Sequence, residues 1–207
     1  MITADQTDVP EDFLSALRSL RAARVRPEVQ LTEVPAPRKI APFAAALNGE
    51  IVSPELERSG HSASGRFIVL HDPAGQEAWE GTYRVVTLVR ATLDPEMGAD
   101  PLLAEVAWSW LEESFMLSGA RAHAQGGTVT RVVSESFGAL STREPETEIE
   151  IRASWTPPEP SARGDVPFDL GPHLAAWSGL LCTTTGLPTY PDGVTPFPSH
   201  RVPRGVS

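Results

Sequence analysis

Alternating apolar and polar residues predict that strands form much of this chain. The clearest run is 147–155, where Ile149 and Trp155 share one face with other apolar residues and charged residues share the opposite face. Alternation with a period of two is typical of a strand that buries one face. Residues 28–34 and 128–137 show similar patterns and are predicted as two further strands.

Residues 40–52 are ambiguous because they contain a run of alanines. Alanine is the best helix former, so a short helix fits this run. A strand fits it as well, and we favour a strand over residues 43–52 because the flanking segments are predicted strands.

The stretch 65–119 is predicted to fold as strand, turn, strand, loop and helix, and to form the centre of the protein. The short apolar run 67–70 is followed by 71–75 (HDPAG), where proline fixes φ and glycine tolerates a positive φ, so a turn is expected. The run 79–93 has apolar residues on both faces, which predicts a central strand covered on both sides. The two strands would pair as a hairpin.

Three segments have apolar residues at helical spacing. The first covers about 11–24, the second follows Asp100 as the N-cap and ends at Gly119, and the third covers about 170–185. Strands and helices do not alternate along the chain. The pattern therefore predicts an α+β fold, with a mostly antiparallel sheet of about five or six strands packed by three helices.

The 207 residues are expected to form one domain. We predict a single α+β domain over 11–187, preceded by a polar N-terminal tail at 1–10. Within the domain, 156–168 is a proline-rich linker. A proline-rich tail at 188–207 is expected to be disordered.

The formal net charge of −10 opposes a general nucleic-acid-binding role, which requires a basic surface. No apolar run approaches the roughly 20 residues of a membrane helix, and the polar N-terminus does not resemble a signal peptide. The single cysteine, Cys182, cannot form an internal disulfide. These features indicate a cytoplasmic protein without a membrane segment, and no cofactor fingerprint is present.

One segment has a positive net charge, although the chain as a whole is acidic. Residues 18–39 hold six basic and two acidic residues, so nucleic-acid contact through Arg18, Arg21, Arg24 and the rest of this segment is one alternative. A solvated helix face followed by a loop explains the same charges more simply.

The densest polar group lies in the segment 71–80. His71, Asp72 and Glu77 are the candidate catalytic residues, because an imidazole beside carboxylates can transfer a proton, and Trp79 is a candidate for binding. Ordinary turn chemistry explains these residues equally well and is favoured.

An acid–base site in that segment would require a further partner. We expect His71, Asp72 or Glu77 to meet Glu96 or His123 in one cleft if the segment is catalytic. The histidine and cysteine spacings do not match a zinc site, so no metal is predicted.

Several long strings carry a family resemblance. They are LRAARVRPEVQL (20–31), HDPAGQEAWEGTYRVVTLVRATLDPEM (71–97), DPLLAEVAWSWL (100–111), GTVTRVVSESFG (127–138), TEIEIRASWTP (147–157) and DLGPHLAAWSGLLCTTTGLP (169–188). They resemble an actinobacterial family of domains of unknown function, number 3000, over nearly the whole chain. The resemblance implies a soluble single-domain protein, and it implies no activity and no catalytic residues.

The chain lacks a complete catalytic constellation, so we favour a non-catalytic module that binds a macromolecule or a small ligand. A protein partner is possible, but its identity and the oligomeric state stay open. The alternatives are a hydrolase or lyase with an acid–base or metal site at the segment from His71 to Glu80, and nucleic-acid contact through the segment from Arg18 to Lys39.

Overall fold

The structure is a computed structural model that describes residues 9–37, 39–54, 56, 61–143, 145–159 and 168–187. The predicted tail at 188–207 lies outside the described residues, as do most of the predicted tail at 1–10 and most of the predicted linker at 156–168. The start of that linker belongs to a strand, because the last strand of the sheet extends through Thr156.

Four helices and six strands make up the described part of the chain. The helices are α1 (Glu11–Ala22), α2 (Pro95–Gly98), α3 (Leu103–Ser118) and α4 (Gly171–Thr184). The strands are β1 (Val29–Val34), β2 (Phe43–Ile51), β3 (Ala63–Gln76), β4 (Gly81–Leu93), β5 (His123–Ser134) and β6 (Glu146–Thr156). Short 3-10 turns cover Glu77–Trp79 and Gly138–Leu140.

The strands form one six-stranded sheet in the order β1-β2-β3-β4-β6-β5, and every neighbouring pair is antiparallel. This confirms the predicted α+β fold with a mostly antiparallel sheet. The ambiguous alanine run is confirmed as a strand, β2, which pairs with both β1 and β3.

The longer helices pack on one face of the sheet. The Trp177 ring of α4 lies over Gly49 and Gly65, and Trp108 of α3 lies over Gly127. The core fills the space between these helices and the strands, with Trp155 and Trp177 fully buried. The glycines are needed because a larger side chain would occupy the space of the indole rings.

The prediction that the strand over 79–93 is covered on both sides is wrong. Tyr83, Val85 and Val89 on the helix-facing side of β4 are buried, whereas Val86 on the other side is half-buried and Arg90 is exposed. The apolar residues of the second face reflect the central position of the strand in the sheet, where neighbouring strands shield them, and not a second helix layer.

The predicted turn at 71–75 is also wrong, because β3 continues to Gln76. Regular pairing with β4 is interrupted between His71 and Gln76. Pro73 therefore sits where the ladder requires no N–H donor, and the Asp72 carboxylate accepts hydrogen bonds from the Ala74 amide and the Gln76 side chain. The chain reverses at the 3-10 turn that follows.

Helix ends match the sequence signals in part. Gly119 ends α3 with a φ of 72°, as expected. At the start of α4 the N-cap is Leu170, and the Asp169 carboxylate just before it accepts a hydrogen bond from the Gly171 amide at 2.7 Å. The start of α3 differs, because Asp100 bonds the Leu102 amide and forms a turn that precedes the helix. The first helical residue is Leu103.

Candidate functional site

A cavity lies between α1 and the strands β1, β2 and β3, near one edge of the sheet. Its floor includes Ala45, which shares the helix-facing side of β2 with Phe43 and Leu47 and pairs with Val69 of β3. The alanine side chain ends at Cβ, so this part of β2 leaves space below α1.

The cavity has a volume of about 350 Å³, within the range of pockets that bind small molecules. Its lining comes from α1 and the segment that follows it, and from the three strands; the residues are Leu17, Leu20, Arg21, Ala23, Val25, Leu31, Glu33, Ala45, Ala46, Leu47, Phe67 and Val69. All of these side chains are apolar except Arg21 and Glu33, which are exposed.

Two hydrogen bonds tie α1 and the segment after it to α4 and the residue that precedes it. The Ser19 hydroxyl accepts a hydrogen bond from the Leu170 amide at 2.9 Å, and the Ser178 hydroxyl accepts one from the Arg26 amide at 3.3 Å. These bonds fix α1 and the segment after it beside α4. Leu17 on the same helix lines the cavity together with residues of β1 and β2.

An aromatic cluster stands next to the cavity, at the N-terminal end of α1. The Phe13 ring lies 5.8 Å from Phe43 and 5.7 Å from the His71 ring, measured between centroids. Phe13 precedes Leu17 by one helical turn, and Phe43 and His71 are two residues along their strands from Ala45 and Val69. The cluster thus adjoins the cavity along all three elements.

His71 is buried in this cluster, with 1% of its surface exposed. Its Nδ1 lies 3.1 Å from the Thr82 carbonyl oxygen, and its ring stacks on Tyr83 at 4.1 Å. Its Nε2 lies 3.4 Å from an oxygen of Asp12 without forming a hydrogen bond. The rings that cover His71 keep it from any molecule outside the core, although sequence reasoning placed it in a surface turn.

The other candidate residues of the segment 71–80 lie in the connection between β3 and β4. Asp72 bonds its own loop, as described above, and Glu77 is exposed in the 3-10 turn. Trp79 is buried, and its carbonyl oxygen accepts a hydrogen bond from the Thr156 hydroxyl. The structure therefore separates His71 from Glu77 and Trp79 instead of gathering them around one opening.

The structure does not bring His71 and Glu96 together. His71 pairs with Tyr83 near the start of β4, while Glu96 follows the end of β4. At about 3.4 Å per residue, the stretch of β4 from Tyr83 to Leu93 spans roughly 34 Å. His123 does reach the turn, where its Nε2 lies 3.2 Å from the Glu80 carbonyl oxygen.

Within the described ranges, no three His, Cys, Asp or Glu side chains are grouped as metal ligands would be. Cys182 is 1% exposed, and burial raises the pKa of its thiol to about 12. The thiol is therefore protonated at neutral pH and unsuited to act as a nucleophile.

The basic residues of the segment 18–39 have different surroundings and different partners in the structure. Arg18 forms an ion pair with Glu11 at 2.5 Å, and Arg26 pairs with Glu28 at 2.8 Å. The hydrogen bond from Arg26 holds the pKa of Glu28 below its usual value. Arg24 is exposed, whereas Arg21 lies on the cavity lining.

Sequence reasoning missed the cavity. The available signal was Ala45 within the alanine run 44–46, since a small residue on the core-facing side of a strand leaves space when the opposite helix stands above it. Its use would have required knowing that α1 lies over β2, which the sequence pattern does not show.

No helix in the described part of the chain is both long and apolar enough to cross a membrane. The chain belongs to the DUF3000 family, described as a protein of unknown function, which matches residues 9–195. Neither a curated protein nor a solved structure matches the chain.

Proposed function

We propose that this member of DUF3000, a family whose description assigns no function, is a non-catalytic protein that binds a small apolar ligand between α1 and the strands β1–β3. The observation that carries the proposal is the cavity of about 350 Å³ with its nearly continuous apolar lining. A concave apolar space with a few polar groups at its rim is the usual form of a small-molecule site.

The energetics favour an apolar occupant. Leu17, Leu47 and Phe67 present hydrocarbon surface to the space, and water inside it would find few hydrogen-bond partners. Burying apolar surface contributes about 25 cal/mol per Å², so a ligand that fills the cavity gains affinity with each carbon that it places inside. A concave space of about 350 Å³ is also more consistent with a small molecule than with a macromolecule.

Two other functions lack comparable support. An acid–base site would need His71 at a surface, but its ring is covered by Phe13, Phe43 and Tyr83. Nucleic-acid contact would need a continuous basic face, but Arg18 and Arg26 are paired with acids. Both functions stay predictions from the sequence.

A matched pair of variants tests the proposal. Ala45→Leu adds a side chain to the floor of the cavity, whereas Ala44→Leu adds the same side chain to the opposite face of the same strand, beside Leu70. Binding is measured by titrating each protein with the apolar dye N-phenylnaphthylamine and following its fluorescence. Folding of each variant is checked by thermal unfolding.

We expect the wild-type protein to bind the dye saturably with one site. Ala45→Leu should weaken binding at least about tenfold, since the added isopropyl group occupies ligand space, and Ala44→Leu should leave it unchanged. Failure of the wild-type protein to bind, or equal binding by both folded variants, would refute the proposal.

A further inference from the structure

The rim of the cavity carries one cation and one anion, Arg21 and Glu33, on two separate elements. Arg21 belongs to the last turn of α1 and Glu33 to the edge strand β1. In the strand register Glu33 pairs with Leu47, which places it on the helix-facing side of the sheet. Both side chains are exposed, and both border an apolar interior.

Among the described residues, neither Arg21 nor Glu33 forms a side-chain hydrogen bond or an ion pair, and they do not pair with each other within 4 Å. Nearby arginines behave differently, since Arg18 pairs with Glu11 and Arg26 with Glu28. Among the described residues, the cavity rim therefore presents a cation and an anion whose side chains are available to bond a ligand.

These two charges define the chemistry of a complementary ligand. A guanidinium binds a carboxylate or another planar anion through parallel N–H donors, and a carboxylate accepts hydrogen bonds from an ammonium group. The interior accepts hydrocarbon. A molecule that satisfies all three features has an apolar tail and a head with both an anionic and a cationic group.

We propose that the cavity binds a zwitterionic amphiphile whose tail lies inside it, whose anionic group contacts Arg21 and whose ammonium group contacts Glu33. The inference rests on the proposed function, because it names the class of the ligand for the same cavity. Since both charges are exposed, each contact should change affinity only about two- to fivefold, while the tail supplies most of the binding.

The experiment compares three probes with the same ten-carbon chain: decanoate, decylamine and α-aminodecanoic acid. Their affinities for the full chain are measured by calorimetry, for the wild-type protein and for Arg21→Ala, Glu33→Gln and Arg24→Ala. Arg24 is an exposed arginine of the same segment that does not line the cavity, so it is the matched control.

For the wild-type protein and for Arg24→Ala, we expect the zwitterion to bind about two- to fivefold tighter than either single-charge probe. In Arg21→Ala the zwitterion should bind no tighter than decylamine, because its carboxylate has lost its partner. In Glu33→Gln it should bind no tighter than decanoate, because its ammonium group has lost its partner. A longer tail should strengthen binding of every probe by about fourfold per methylene until the cavity is full.

Two failures have different meanings. If all three probes bind wild-type protein with equal affinity, or if Arg24→Ala acts like Arg21→Ala, the assignment of the head group is wrong and the apolar cavity remains the binding site. If none of the probes binds, the proposed function fails as well.

Discussion

His173 and Trp155 form a buried polar pair in the core, above the centre of the sheet. The Trp155 Nε1–H donates a hydrogen bond to His173 Nδ1 at 3.0 Å, and the histidine is 2% exposed. The bond requires Nδ1 without a proton, and burial lowers the pKa of His173 from 6.5 to about 4 because the charged ring would lose its hydration.

This pair predicts that the protein loses stability in mild acid. The unfolded chain binds a proton on this histidine at higher pH than the folded chain does, so the stability contribution is complete above 6.5 and is lost as the pH falls toward 4. Between about pH 7 and about pH 5, the free energy of unfolding should fall by roughly 2 kcal/mol through this residue. Urea unfolding at the two pH values measures the change.

The control for that prediction is His173→Gln, which keeps an acceptor near Trp155 and removes the titrating ring. The variant should lose clearly less stability than the wild-type protein over the same pH interval. The carboxylates with lowered pKa, Glu28 and Glu150, titrate below their usual value of 4.5 and so contribute outside this interval. An equal loss in both proteins would contradict the account.

At the residue scale, sequence reasoning was wrong about the environment of His71, which is buried and not in a surface turn. Its neighbours Asp72, Pro73 and Gly75 are strong turn formers, so a surface turn was the reasonable expectation. The covering ring of Phe13 comes from α1, far away in the chain. Local chemistry cannot show such a contact, because only tertiary packing decides which side chains it buries.

At the scale of elements, glycines on β2 and β3 allow α4 to approach the sheet. A Cβ atom at Gly49 would lie 2.6 Å from the Trp177 ring, and one at Gly65 would meet the Leu88 carbonyl oxygen and the same ring. The Trp177 Nε1–H also donates a hydrogen bond to that Leu88 oxygen at 3.3 Å. Close approach of α4 thus depends on these two positions having no side chain.

We therefore expect Gly65→Ala to destabilise the protein by about 1–3 kcal/mol, because the added methyl group meets a backbone atom that cannot move aside cheaply. Gly126→Ala is the matched control, since Gly126 also lies in a strand and nothing stands within 4 Å of its Cβ position. Its effect should stay within about 0.5 kcal/mol. Thermal unfolding compares the two, and equal stability would show that α4 does not pack on Gly65 as described.

Element identities were predictable where one periodic signal dominated. The alternation in β6 predicted that strand to within one residue at each end, and helical spacing over about 170–185 predicted α4 equally closely. The helix start at Leu103 was misplaced because Asp100 and Pro101 form a separate turn before the helix. An aspartate that could cap a helix accepts a hydrogen bond from a nearby backbone amide, and that amide can belong to a turn as well as to a helix.

At the scale of the whole molecule, the fold class followed from the order of elements, but the cavity did not. It lies where α1, whose Ser19 hydroxyl accepts a hydrogen bond from the Leu170 amide just before α4, stands above the small side chain of Ala45. One helix and three strands, α1 and β1–β3, line it. Hydrophobic periodicity shows which face of each element is buried, but not how closely two buried faces approach.

The most direct test of the central claim locates a bound apolar molecule inside the folded protein. Methyl groups are followed by NMR while N-phenylnaphthylamine is added, because its rings shift the resonances of nearby methyl groups. Leu17, Leu47 and Val69 report on the cavity, and the exposed Val132 and Val133 of β5 serve as controls.

We predict saturable shifts at Leu17, Leu47 and Val69 together, with Val132 and Val133 unchanged. Unchanged cavity methyl groups at saturating dye, or shifts that are largest on β5, would contradict the claim that the space between α1 and the strands β1–β3 is the binding site.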